Sequence, residues 1–592
     1  MTIERFGDFE LDPGAAQLRL RGREVPLQPR IFDLLVYLVR NRDRVVDKDE
    51  LLAAVWPGVI VTDASLQRAV SLARAALREG ELAGAIRTHA RRGYRFVAQP
   101  AQAPDAPPGA PLERARELAA RFRWREALAE FARADAHAPL GAGDLEQWGL
   151  AAQCAGALGE AAAALQRATA AYAAAREPRA AARAIIALAR TRLESREDAV
   201  ARGCLQRAAS LLEGEPLCLE HGHLAWMSSR YGAFTGDMAA ALAHAERTLE
   251  IGKTLGSPDL DAAGRLYKGA ALQALGDTRS GLALQDEAGA AVLSGSVSPL
   301  IGGIIYCGLV ISYRNAGDWP RARQWTDSFT DWCESCGLLG FNGSCTLHRA
   351  ELFAARGELE RAQAELLASS EGLRVSAPWA VGDASRLLGD VYLARGAFEQ
   401  AETAYREAHE HGWDPYPGYA LLQHYRGQPQ AALRGLRAAA EGRTWDACER
   451  RGSCLAHVVM IAAMAGELDE AAATLARLER EPELWATGAV HAYVLRAQGE
   501  LDLARGDAGG AARRLRRAVE VLQELGAALD AAVVRLRLAA ALARVGDAEG
   551  AELELGTATR ALEKAGASFY LNQAQALRLE SAGPRRDKEP ER

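Results

Sequence analysis

One spacing constrains most of this chain before any other feature is read. Glycines recur at Gly236, Gly276, Gly317, Gly357, Gly396, Gly427, Gly466, Gly506 and Gly546, at intervals of 40, 41, 40, 39, 31, 39, 40 and 40 residues. Five residues after each stands a small one: Ala241, Gly281, Ala322, Ala362, Ala401, Ala432, Ala471, Ala511 and Ala551. Chance does not hold that register through nine units, so the region is an internal repeat. The surrounding sequence is helical in pattern and rich in Ala, Leu, Arg and Glu. Each unit therefore reads as a helix, a turn at the glycine and a second helix, often capped by the Asp that follows, with the small residue where the two helices approach closely. Gly159 with Ala164, and Phe122 with Ala127, read as weaker earlier copies. Such pairs stack into a superhelix in which each unit touches only its neighbours.

The first hundred residues follow different rules. Residues 1–27 alternate as short strands around Pro13-Gly14 and Arg21-Gly22. Pro29 suits the first turn of a helix through Arg40, with Ile31, Leu34, Leu35 and Leu38 as its core stripe. Asp47 with Glu50 predicts a capping-box start for a helix from Asp49 to Trp56, which Pro57-Gly58 ends. If Thr62 or Asp63 caps the next helix, Leu66, Val70, Ala73 and Leu77 form its buried stripe. The opposite side carries Arg68 and Ser71, with Gln67, Arg74 and Arg78 on one flank and Ser65, Ala69 and Leu72 on the other. Ile86 to Phe96 then reads as a hairpin around Arg91-Arg92-Gly93. A helix that fits a major groove, followed by a cationic hairpin, is a surface for reading DNA. The charge supports this: residues 1–100 hold 16 Lys and Arg against 13 Asp and Glu in a chain whose net charge is −6.

Several of these pieces carry a family resemblance: Phe9-Glu10-Leu11-Asp12, Leu18 to Leu27 with its Arg-Gly-Arg turn, Phe32 to Leu38, Arg44 to Leu51, Val55-Trp56 and Arg92-Gly93-Tyr94-Arg95-Phe96. Over about the first 98 residues, the chain resembles the winged helix-turn-helix domain of OmpR/PhoB-type regulators, most closely their CadC-like branch. The resemblance implies double-stranded DNA as partner. It places Ser65, Gln67, Arg68, Ser71, Leu72, Arg74 and Arg78 of the reader helix, and Arg91, Arg92 and Tyr94 of the wing, at the DNA. One small module gives limited specificity, so binding as a dimer or on tandem sites is expected, with RNA polymerase as a further candidate contact. The glycine-to-alanine register resembles the tetratricopeptide repeat, although about 40 residues is longer than that repeat's usual length of about 34. Trp332-Cys333-Glu334, Cys345 to Glu351 and Pro417 to Leu422 resemble the repeat region of large LuxR/MalT-type and adenylate-cyclase-associated regulators, without their C-terminal helix-turn-helix.

The expected fold is thus mainly α: a winged helix (α+β) domain over 1–99, a Pro-rich linker over 100–111, a long α-solenoid of tetratricopeptide-like helical pairs over 112–580, and a disordered charged tail over 581–592. No stretch approaches the roughly 18 apolar residues of a membrane span, and Glu4, Asp8 and Glu10 do not suit a signal peptide, so a cytoplasmic protein is expected. Nine irregularly spaced cysteines read as reduced thiols.

Three constellations bear on chemistry. Gly252-Lys253-Thr254 ends like a phosphate-binding loop, but Arg247 stands where its first glycine belongs and the pattern around it is helical. Cys333, Cys336, Cys345 and His348 have ligand-like spacings, yet they match repeat positions and read as buried small residues, so no metal is expected. The segment from His409 to Tyr419 coincides with the one interval of 31, and Trp413, Tyr416 and Tyr419 could wall an effector pocket there. No catalytic set and no cofactor site emerge. The function read from these features is a non-enzymatic, one-component transcriptional regulator, with DNA bound by the winged helix and a protein, peptide or small molecule received by the repeats. The alternative is an interaction scaffold whose winged helix docks a protein; the arginines Arg68, Arg74, Arg91 and Arg92 favour the regulator.

Overall fold

The computed structural model describes residues 4–582 apart from 7–8, 15–16, 21–22, 57–62, 79–81, 83, 90–91, 98–109, 337–341, 442–447 and 481–486. It divides into two compact units, Met1–Pro108 and Gly109–Arg592. The expected turn at Pro57-Gly58, the capping Thr62, the linker up to residue 109 and the tail beyond Ala582 lie outside the described residues; Ala110 and Pro111, expected in the linker, and Ser581 and Ala582, expected in the tail, belong to helices instead.

In the first unit, β1 (Glu4–Phe6), β2 (Phe9–Asp12), β3 (Gln17–Leu20) and β4 (Arg23–Val25) form an antiparallel meander. Its register pairs Leu11 with Leu18 and Phe9 with Leu20. Helices α1 (Pro29–Arg40), α2 (Lys48–Val55) and α3 (Asp63–Arg78) follow, then the hairpin β5 (Ile86–His89) and β6 (Gly93–Phe96). The alternation in β2 buries Phe9 and Leu11, and the stripe of α1 buries Ile31, Leu34, Leu35 and Leu38, so sheet and helix close one core. Phe6 joins that core to the hairpin, its ring edge-on to Phe96 at 4.9 Å. Asp47 caps α2 by accepting from the Asp49 backbone N–H at 2.8 Å. Glu50 does more than the expected capping: its carboxylate takes a fork from Arg44 at 2.8 and 2.5 Å and the Tyr37 hydroxyl at 2.8 Å. Those bonds, Arg44's first, hold its carboxyl down at about 2.

The second unit is helical. Among the described residues, twelve antiparallel helix pairs run from Ala110 to Ala565, and a last helix covers Ser568–Ala582. All nine repeat glycines adopt positive φ, from 69° at Gly317 to 104° at Gly276. At Gly357 this closes the turn: its N–H donates to Ala354 O at 2.9 Å and the Glu358 N–H to Phe353 O at 2.8 Å, satisfying carbonyls at the helix end. Asp237, Asp277, Asp507 and Asp547 then cap the second helices, each accepting from the backbone N–H three residues on. The small residues sit where the two helices of a pair meet. A Cβ on Gly269 would lie 2.5 Å from Gly281 O. Eight of the nine are buried, and Ala551 is half-buried.

Two expectations need correction. Gly159 lies inside the helix Leu158–Ala174; the turn is at Gly156, φ 76°, and its small residue is Ala161. A further copy uses Arg196 at φ 63° followed by Ala201, invisible to a search for glycines. Nor does each pair touch only its neighbours. Phe353, Leu359, Ala362 and Val391 share a core cluster with Val533, Leu536, Leu555 and Leu562, so the C-terminal pairs pack onto the middle of the array. Phe569 of the last helix sits 5.9 Å from Phe398 and 4.2 Å from Tyr425. The reason is burial: helices with apolar residues on two sides leave one uncovered in a simple stack.

Candidate functional site

Burial on α3 follows the predicted stripe. Leu66, Val70, Ala73 and Leu77 are in the core, while Ser65, Gln67, Arg68, Ser71, Leu72 and Arg78 are exposed. Leu72 is 41% exposed, an apolar side chain left in water on the face that would enter a groove. Ala69, placed on a flank, is buried instead. Ser71 donates its hydroxyl to Gln67 O at 2.9 Å, one helical turn back.

The hairpin stands against this helix through Arg74. Its guanidinium donates from Nε and Nη2 to Ile86 O at 3.0 and 2.7 Å, and from Nη2 to Thr88 Oγ1 at 2.8 Å. Arg74, expected at the DNA, thus joins reader helix and wing through Nε and Nη2. Tyr94 also departs from its expected place: it is 4% exposed, in the core, and its backbone exchanges hydrogen bonds with Val46 at 2.9 and 2.8 Å. That bridge demands a glycine next to it. Gly93 has φ 132°, and a Cβ there would lie 1.9 Å from Val46 O. Arg91 lies outside the described residues; Arg92 is exposed at the turn.

Sequence reading overlooked Arg87. It is exposed on β5 directly opposite Arg95, whose Nε donates to Arg42 O at 3.1 Å. Two like charges across a strand pair repel unless an anion lies near them. The signal was the alternation after Ile86, which turns Arg87 outward when Ile86 turns in. The side chains of Arg68, Arg78, Arg87 and Arg92 make no ion pair or hydrogen bond among the described residues, so helix and wing carry four exposed, solvated cations.

The repeat unit holds a cavity of about 400 Å³ between several helix pairs. Trp413, one of the three expected walls, lines it, with its indole N–H on Trp379 O at 3.0 Å and Arg450 5.6 Å from its ring centre. Tyr416 and Tyr419 do not line it. They pack against each other at 6.0 Å, and Tyr419 packs on Tyr405 at 5.8 Å. The short interval arises because the first helix of that pair, Gly418–Tyr425, has 8 residues.

His348 also lines the cavity, 1% exposed. Arg314 donates to its Nδ1 at 2.9 Å, so the ring proton sits on Nε2, which has no partner among the described residues. Burial, and then the charge of Arg314, hold that imidazole down at about 3. Cys333 is buried apart from any ligand set, and the side chains of Cys336 and Cys345 lie outside the described residues. No group of His, Cys, Asp and Glu suited to a metal occurs among the described residues. Gly252 sits within the helix Met238–Leu255, where a Cβ would lie 2.8 Å from Asp261 N; it serves helix packing rather than a phosphate loop.

A three-helix core with a four-stranded sheet before it and a two-stranded wing after it defines a winged helix-turn-helix DNA-binding module. Residues 22–96 match the family described as "Transcriptional regulatory protein, C terminal". The transcriptional activator CadC of Escherichia coli (strain K12) is 31% identical over 97 residues, which are 16% of this chain and 19% of that protein. The phosphate regulon transcriptional regulatory protein PhoB of Rhizobium meliloti (strain 1021) is 35% identical over 94 residues, 16% of this chain and 41% of that protein. The chain thus spans less than half the length of these curated relatives. Among solved structures, a Rap protein complexed with competence and sporulation factor is similar at 13% identity, with a TM-score of 0.37, covering 65% of this chain and 98% of that one. Residues 22–96 therefore match the OmpR/PhoB-type DNA-binding domain of transcriptional regulators, and the described residues from Ala110 onward form an array of helical pairs. No helix among the described residues is long and apolar enough to cross a membrane.

Proposed function

We propose that this chain is a one-component transcriptional regulator that binds promoter DNA through its winged helix and receives a signal through its helical repeats. The observation that carries this reading is the four exposed, solvated cations Arg68, Arg78, Arg87 and Arg92 on a reader helix and wing whose sequence matches regulators of transcription. Arg68, Gln67 and Ser71 face the base edges, while Arg78, Arg87 and Arg92 meet phosphates. One small module yields limited specificity, so binding occurs as a dimer or on tandem sites, where RNA polymerase can be contacted. The repeats supply the input, a protein, peptide or small molecule, and no step of the function requires catalysis. Mapping the binding sites of the full-length protein across its genome tests the reading. Sites clustered at promoters support it, with affinity for duplex DNA falling steeply as salt rises. A folded protein without salt-sensitive duplex binding refutes it.

A further inference from the structure

The cavity in the repeat unit holds an imbalance of charge that a ligand would resolve. Arg190 and Arg230 both line it, 4% and 8% exposed, and both depend on one carboxylate, Glu194. Arg230 Nη1 reaches Glu194 Oε1 at 3.1 Å, which leaves its Nε without a partner among the described residues. Arg190 Nε is 3.9 Å from the same oxygen, too far for a hydrogen bond, and its guanidinium makes none among the described residues. Guanidinium does not lose its proton, so two buried positive charges face one negative charge. A buried charge left uncompensated is costly, and among the described residues no further acid takes up the second arginine.

Most other groups around the cavity agree in kind; the exception is Asp414, which accepts from the Tyr416 N–H at 3.1 Å and whose carboxyl burial pushes up towards its neutral form. The unpartnered Nε2–H of His348 is a donor. So is the hydroxyl of Tyr267, which burial keeps protonated. Asp383 is occupied by Arg314 at 2.5 Å and Arg386 at 2.8 Å, so it offers no acceptor in return. Apolar walls complete the site: Ile304, Ile311, Phe234, Trp379 and Trp413. We infer that this cavity is the effector site of the repeats and takes a small organic monoanion, a carboxylic acid whose carboxylate lies between Arg190 and Arg230 and whose apolar body lies against the aromatic wall. Arg196, Arg450 and Arg451 also line the cavity, but at the group of Arg190, Arg230 and Glu194 the excess is one charge, which a monoanion matches. The inference rests on reading the repeats as the signal-receiving part of a regulator.

The test uses the full-length protein and calorimetric titration with indole-3-acetate and decanoate, against indole-3-ethanol, decanol and inorganic phosphate. At least one carboxylate should bind, about tenfold or more tighter than its alcohol and than phosphate. Arg190→Gln should weaken that binding by at least about tenfold while raising the melting temperature of the unliganded protein, because it removes the unmatched charge. Glu194→Gln should act in the opposite sense, lowering the unliganded melting temperature and tightening the acid. No carboxylate binding, equal binding of acid and alcohol, or binding indifferent to Arg190→Gln would overturn the site. Duplex DNA affinity measured with and without the bound acid separates the two claims: binding that leaves DNA affinity unchanged supports the site and refutes the signalling role, whereas a change supports both.

Discussion

Arginines that look equivalent along a helix differ in what their guanidinium groups can still do. Arg74 spends its donors on Ile86 O and Thr88 Oγ1, whereas Arg68 and Arg92 spend none within the described residues. Arg68→Ala should relax preference at one base position by about 1–3 kcal/mol, and Arg92→Ala or Arg87→Ala should weaken all sequences alike and reduce the salt slope by about 1. Arg74→Ala should instead lower the stability of the first unit by about 1–3 kcal/mol, since the carbonyl of Ile86 loses both donors, and DNA affinity should fall with it. Melting curves alongside salt titrations distinguish the cases; Arg74→Ala with unchanged stability would return that residue to the DNA. Two buried histidines make a second residue-scale prediction. His348 and His457 are held down at about 3, both by burial first, and His457 donates from Nδ1 to Ser453 O at 2.7 Å. Their folded values lie below the unfolded value of about 6.5, so the stability they contribute is complete above that pH and is lost as pH falls. Below about pH 6 each adds up to about 1.4 kcal/mol per pH unit to the slope of repeat stability, through the proton taken up on unfolding. His457→Gln should remove one such contribution in melting curves from pH 7.5 to about 5, and an unaltered slope would show that His457 titrates in the folded state.

At the scale of elements, the turn between paired helices needs one left-handed residue, and glycine meets that need at the lowest conformational cost. Gly506, at φ 87°, has nothing within 4 Å of where a Cβ would stand, so Gly506→Ala isolates the backbone effect and should cost about 1–2 kcal/mol. Arg176, exposed at φ 59°, is the converse case, and Arg176→Gly should stabilise by up to about 1 kcal/mol. Opposite signs in denaturant melts confirm the turn geometry; equal signs contradict it. This requirement is why the array was legible in the sequence: a left-handed turn writes itself as Gly, and a close helix approach as Ala five residues later. It is also why the Arg196 copy was not, since a residue that tolerates the strain leaves no compositional mark. Helical periodicity likewise named the buried side of α3 but not the hairpin that occupies its flank, so the bonds of Arg74 to the wing were not foreseen; Tyr94 was assigned to DNA by resemblance of the wing, where a strand pattern does not show which face meets the core. Arg190 and Arg230 escaped notice because a polar residue in an amphipathic helix reads as solvent-facing, and only the packing of several pairs around one cavity shows otherwise.

At the scale of the whole molecule, what a local repeat cannot express is contact between its distant parts. Ala362 occupies the close-approach position of its pair, fully buried, and it belongs to a cluster that includes Val533, Leu555 and Leu562. Leucine there adds three carbons with no room to receive them, and overpacking of that kind costs about 1–3 kcal/mol. In a chain of units coupled only to their neighbours, the disturbance would end one pair to either side. Here the helix Leu359–Ser376 and the pair Ala528–Val545 and Ala548–Ala565 press on the same cluster, so displacing one moves the others. Hydrogen exchange on the Ala362→Leu protein should therefore show lost protection in two separate stretches, roughly 342–410 and 528–582, with the repeats between 429 and 480 less affected. The N-terminal unit, closed by its own core from Phe6 to Phe96, should keep its protection and its duplex binding. Loss confined to 342–410 would show that the C-terminal pairs do not pack on the middle of the array in solution, and loss spreading into residues 4–97 would contradict the independence of the two units.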